Sequence, residues 1–128
     1  MGTMKMTAQV FLSFIGLQVL QGGDISTILG TGEAGFSGDG GPAIKAKLNG
    51  PFGVVRGPDD CLYICDTYNH CIRRIDANGI VSTVAGKGGQ KGFSGNGGLA
   101  TKALLNEPYE VRFDKEGDMY FVEMINHV

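Results

Sequence analysis

The sequence predicts an all-β fold assembled from repeated units of four short antiparallel strands. Three observations carry this reading. The segment GFSGDGGPAIKAKLNGPFGV at 35–54 returns as GFSGNGGLATKALLNEPYEV at 92–111, at an offset of 57 residues. Between the copies, stretches rich in β-branched and aromatic residues alternate with turn signals at short intervals. The 22 glycines among 128 residues cluster at those turns, and the 42% apolar content suffices for a packed core.

The repeat reaches well beyond its best-matched segment. Leu62-Tyr63-Ile64 is matched by Met119-Tyr120-Phe121, Asp66 by Glu123, and Asn69-His70 by Asn126-His127. Upstream, ISTILGTG at 25–32 matches VSTVAGKG at 81–88. One unit reads as four strands in order. Phe52 to Arg56 ends at the turn Gly57-Pro58-Asp59-Asp60, and Cys61 to Cys65 stops at Asp66-Thr67-Tyr68-Asn69-His70. Cys71 to Ile75 closes with Asp76-Ala77-Asn78-Gly79, a strong hairpin signal, and Ile80 to Ala85 completes the unit. A sheet this small cannot bury both its faces alone. Radial stacking of such sheets buries them, which makes each unit a blade of a β-propeller.

These residues resemble the NHL-repeat propellers, named for an Asn-His-Leu triplet that stands here as Asn69-His70-Cys71 and Asn126-His127-Val128. The likeness is to a bacterial type with a GFSGDGGPA inter-blade segment. Its signature falls on Gly35, Phe36, Gly38, Gly41 and Pro51, and again on Gly92, Phe93, Gly95, Gly98 and Pro108. Leu99 replaces Pro42 in the second copy, and both leucine slots of the triplet are substituted. The resemblance implies a ring of six blades. The chain supplies about two blades' worth: a complete blade near 52–85, a partial one at 108–128, and a final strand before them. It reads either as a fragment of a longer propeller, the favoured alternative, or as one contribution to an oligomeric ring.

Residues 1–24 form an apolar N-terminal segment with two readings, a degenerate third strand at Phe14–Leu20 or a weak signal-like leader. Its apolar run is too short to span a bilayer as a helix. Cys61, Cys65 and Cys71 are odd in number and lack zinc-type spacing, so they read as buried small apolar residues. Free thiols point to a reducing compartment and the apolar N-terminus to export, so the localisation stays open between the two.

The GFSGDGG stretch could cradle a phosphate, or lend Asp39 to a calcium ion. Its return at Gly92 with Asn96 in place of Asp39 argues instead for a turn that carries the chain between blades, with Phe36 and Phe93 anchoring it over Ala43, Ala46 and Leu48. Asp66, Thr67, Asn69, His70, Glu123, Asn126 and His127 are the candidate ligand-binding residues of the loop face. Their repetition also suits a turn-forming role, since Asp and Asn side chains bond nearby backbone N–H groups. No metal site is expected, because His70 and His127 occupy equivalent slots in different blades. Arg73 and Arg74 must point to opposite faces of their strand, one covered and paired with a carboxylate, the other toward solvent. Tyr63 and Tyr120 are expected in the core with polar tips.

The function expected from the resemblance is a non-catalytic module, a binding or scaffold surface for proteins or other ligands, needing no cofactor. One alternative is part of a metal-dependent propeller lyase of the amidating type, although each blade supplies at most one histidine. Another is an RNA-binding module, against which the net charge of −2 speaks. The partner expected is a protein, or a second copy meeting an open blade edge, with no nucleic acid and no membrane span.

Overall fold

The computed structural model describes residues 9–13 and 16–128, with side-chain surroundings from residue 22 onward. Among the described residues nine strands follow one another: β1 (Gln9–Ser13), β2 (Gly16–Gln21), β3 (Asp24–Leu29), β4 (Pro51–Arg56), β5 (Leu62–Asp66), β6 (Cys71–Ile75), β7 (Val81–Gly86), β8 (Pro108–Phe113) and β9 (Met119–Glu123). They form three antiparallel sheets, β1-β2-β3, β4-β5-β6-β7 and β8-β9, each in simple sequential order. The chain is a partial β-propeller, with one whole blade flanked by two incomplete ones. Two strands, not one, precede β3; Phe14, Ile15 and residues 1–8 of the N-terminal segment lie outside the described residues. Among the described residues no helix is long and apolar enough to cross a membrane.

Alternation along the strands of the central blade explains why the sheets stack. Ile64 and Ile75 face one way and join Leu29, Ala43, Ala46, Leu48 and Val81 in a core between the first two sheets. Cys65 and Ile72 face the other way and meet Ala85, Leu105 and Val111 between the second and third. The blade is therefore apolar on both faces, as its near-continuous β-forming sequence demands. All three cysteines are free and buried, as the sequence suggested. Burial pushes the Cys65 thiol up to about 12 and Cys71 upward as well, so both are neutral apolar fillers.

The glycine-rich segments form the inter-blade loops. Gly40 N–H donates to the Val81 carbonyl at 2.8 Å, and Val81 N–H donates back to Gly41 at 3.0 Å. The loop leaving β3 thereby covers the outer edge of the next blade, an edge that would otherwise stand open to association. Ala43, the first residue of a short 3-10 turn, sits buried beneath it with Ala46. Gly38 has φ +94°, and a Cβ there would lie 2.7 Å from the Ala46 backbone, so glycine is required twice over. At the inner strands, a Cβ on Gly53 would lie 2.7 Å from the Tyr109 carbonyl, so its glycine lets β4 approach β8. The Phe52 and Tyr109 rings meet beside it at 4.5 Å between centroids.

Two sequence expectations fail here, for a common reason. Tyr120, predicted to be core, is 60% exposed, because the face of β9 on which it stands carries no further sheet among the described residues. Phe93, predicted to anchor its loop, is also 60% exposed. Its counterpart Phe36 is held by the Arg73 guanidinium, 4.8 Å above the ring, and no equivalent arginine stands over Phe93 among the described residues.

Candidate functional site

The end of β5 and the turn after it bring the predicted loop residues together. Asp66 closes the strand, Thr67–Asn69 form a 3-10 turn, and His70 caps it in the left-handed conformation at φ +56°. His127 adopts φ +57° at the same place in the second copy. Asp66, Thr67 and Asn69 are buried, not displayed.

Their hydrogen bonds show what the sequence selects for at this turn. Asp66 Oδ1 accepts from Asn49 N–H at 2.8 Å, and Asp66 Oδ2 accepts from the Asn69 amide at 2.9 Å and from Arg73 Nη1 at 3.2 Å. Asn69 also donates to the Gly35 carbonyl at 2.7 Å, tying the turn to the start of the glycine segment. Thr67 Oγ1 donates to the Pro108 carbonyl at 2.7 Å, which fastens the central blade to the next. Burial pushes the Asp66 carboxyl up to about 6, against the opposing pull of Asn49 N–H, the Asn69 amide and Arg73.

Arg73 completes the cluster. Fully buried, it sends Nη2 to Asp39 Oδ1 at 2.9 Å and to the Ser37 carbonyl at 3.0 Å, besides its bond to Asp66. Arg74 points the other way and pairs with Asp59 at 2.8 Å, partly exposed, as strand alternation required. Asp59 is opposed by burial, yet Arg74, the Cys61 N–H and the Tyr63 hydroxyl bring it down to about 2. The sequence reading missed Asp39 as an ion-pair partner. A signal was present in the aspartate at 39, where the second copy carries the uncharged Asn96.

The second copy repeats half of this device. Glu123 accepts from Asn106 N–H at 2.7 Å and from the Asn126 amide, and Asn126 donates to the Gly92 carbonyl at 2.9 Å. His70 Nδ1 accepts from Glu107 N–H at 3.2 Å, and burial lowers its pKa. Among the described residues no group of three or more His, Cys, Asp or Glu side chains is placed to hold a metal ion.

No protein-family model matches the chain. Over 97 residues, 73% of its length, it is 38% identical to the chloroplastic protein SUPPRESSOR OF QUENCHING 1 of Arabidopsis thaliana. Over 74 residues, 57% of its length, it is 35% identical to NHL repeat-containing protein 2 of Bos taurus. It spans only 9% and 10% of those two relatives. Among solved structures, a structural genomics protein of unknown function from Bacteroides thetaiotaomicron matches 86% of the chain with a TM-score of 0.74. That likeness, at 24% identity and over 28% of the solved chain, concerns the fold alone.

Proposed function

We propose that this chain is a non-catalytic propeller module of the NHL type that offers a binding or scaffolding surface to other polypeptides. One observation carries the reading. Tyr120 and Val122 occupy the repeat positions of Tyr63 and Cys65, which in the central blade pack against the next sheet. On β9 the same positions are 60% and 52% exposed, beside the Glu110–Arg112 ion pair. An apolar pair rimmed by opposite charges is the surface chemistry of a protein contact. The side chains first expected to meet a ligand, Asp66, Thr67 and Asn69, are engaged internally, which moves the contact surface to this flank.

The similarity to an NHL repeat-containing protein supports the same class of function. Light scattering over a range of concentrations tests it. The purified chain is expected to form species heavier than its 13.5 kDa monomer, and Val122→Asp to return it to that mass with unchanged far-ultraviolet circular dichroism. A wild-type chain that stays monomeric at its highest soluble concentration would remove the proposal.

A further inference from the structure

The turn after β5 grips two consecutive residues of the neighbouring sheet with opposite chemistry. Thr67, its first residue, donates from Oγ1 to the Pro108 carbonyl at 2.7 Å. His70, its cap, accepts at Nδ1 from the Glu107 N–H at 3.2 Å. Both residues of the second bond hold left-handed backbone, His70 at φ +56° and Glu107 at φ +57°. Neither has the freedom of glycine there, so the bond joins two strained residues across the joint between sheets. The Glu107 carbonyl is held from the other side by the Met124 N–H at 3.1 Å.

The two grips respond differently to acid. A hydroxyl donates throughout the neutral and mildly acid range, whereas imidazole accepts at Nδ1 only while that nitrogen is unprotonated. Imidazolium has two donors and no acceptor, so its Nδ1–H would face the Glu107 N–H donor to donor. We infer that this turn is an acid-released clasp between the central blade and the sheet β8-β9. Neutral His70 holds the Glu107 amide, and protonation frees that side while Thr67 keeps the Pro108 carbonyl as the pivot. The clasp goes beyond the binding-module reading and does not depend on the flank of β9.

The charges around His70 set the direction of its response. Burial holds the imidazole neutral, the Glu107 carboxylate before β8 opposes it, and Lys91 in the loop after β7 reinforces it. Gly86 and Leu105, packed by the same residue, carry no charge. Because the folded value lies below the ordinary 6.5, the clasp contributes fully above that pH and is lost as pH falls through the lowered value. Asp66, buried in the same turn and raised to about 6, favours the fold when protonated and so opposes release.

Nuclear magnetic resonance on the whole chain tests the clasp, with the His70 imidazole titration and amide exchange read on one sample. Between pH 7.5 and 5, after division by the intrinsic exchange rate, the Glu107 amide should lose about tenfold or more of its protection. That loss should follow the His70 titration, while the amides of Tyr68 and Gly89, bonded to the Asn49 and Asn69 carbonyls, keep theirs. In His70→Asn, which tolerates the left-handed backbone and does not titrate, Glu107 protection should no longer change with pH. Lys91→Gln should move the titration and the loss together to higher pH, and Glu107→Gln should move both lower, which keeps the test open even where His70→Asn does not fold. Asp66→Asn should leave the loss in place. Protection that stays level while His70 titrates overturns the clasp. So does a loss that survives in His70→Asn, or one that Tyr68 and Gly89 share.

Discussion

Arg73 Nη1 lies 3.2 Å from Asp66 Oδ2, with both side chains wholly shut off from water. A buried pair of this kind stabilises little against an apolar substitute, yet removing one partner strands the other. Arg73→Met is therefore expected to cost about 3–5 kcal/mol at pH 7.5 in urea unfolding, because Asp66 is left charged without its cation. At pH 5 the loss should be smaller, since Asp66, already raised to about 6 in the native chain, then escapes by taking up a proton. An equal loss at both pH values would show that packing, not charge, is what Arg73 provides.

The same carboxyl makes stability depend on pH in a direction opposite to ordinary acid denaturation. Asp66 binds its proton more tightly folded than unfolded, so protonation favours the fold. That contribution is complete below its ordinary value of 3.8 and is lost as pH rises through about 6. Its full size is at most about 3 kcal/mol, from a shift of roughly two units. Asp59, held down to about 2, acts the other way, and its part disappears only as pH falls from 3.8 toward 2. Subtracting the pH 4–7 unfolding curve of Asp66→Asn from that of the wild type should isolate a downward slope. A difference that stays flat across that window would contradict it.

The all-β strands were legible because they depend on local chemistry. Glycine with positive φ, the Asp76–Gly79 turn and alternating β-formers each act within a few residues, and the repeat displays them twice. The fates of Tyr120 and Phe93 were not legible, because each depends on a sheet or side chain outside its own segment. Repeat logic assigns both copies the same surroundings, whereas burial depends on what stands across the face. Likewise Asp39 looked like a turn residue until β6 delivered Arg73 from 34 positions along the chain. Asp66, Thr67 and Asn69 lie together as their spacing implied, but their burial follows from Asn49 and Gly35 closing over them, contacts that spacing does not reveal.

Glycine positions in the inter-blade loop separate into two classes that substitution should distinguish. Gly38→Ala brings a Cβ to 2.7 Å from the Ala46 backbone in addition to its φ of +94°, whereas Gly40→Ala meets nothing within 4 Å and bears only the left-handed strain at +80°. Gly40→Ala should cost about 1–2 kcal/mol and Gly38→Ala clearly more. Thermal unfolding of the two variants side by side checks the order, and reversed costs would contradict the close approach to Ala46.

Thr67 offers a measure of how firmly adjacent blades are joined. Thr67→Val keeps the shape but removes the hydroxyl that donates to the Pro108 carbonyl at 2.7 Å. The expected cost is about 1–3 kcal/mol, since a buried acceptor loses its partner. The more specific readout is local. Amide exchange should quicken in β8 and β9 while the hairpin of β6 and β7 keeps its protection, because the lost bond lies between blades. Uniform quickening across all three sheets would instead mean that Thr67 supports the central blade itself.

Glu107 presents the converse case, a strained residue where its repeat counterpart is glycine. Gly50 and Glu107 both sit at φ +57°, a conformation that costs an ordinary side chain roughly 1–2 kcal/mol. Glu107→Gly is therefore expected to stabilise the chain by about 1 kcal/mol, since the backbone N–H that donates to His70 Nδ1 survives the change. Replacing Gly50 by Glu is not the mirror image. A Cβ there would stand 2.3 Å from the Tyr68 ring, so that variant should lose more than Glu107→Gly gains. Chemical denaturation of the two variants decides the matter. A destabilised Glu107→Gly protein would mean that the glutamate side chain contributes more than its backbone strain costs.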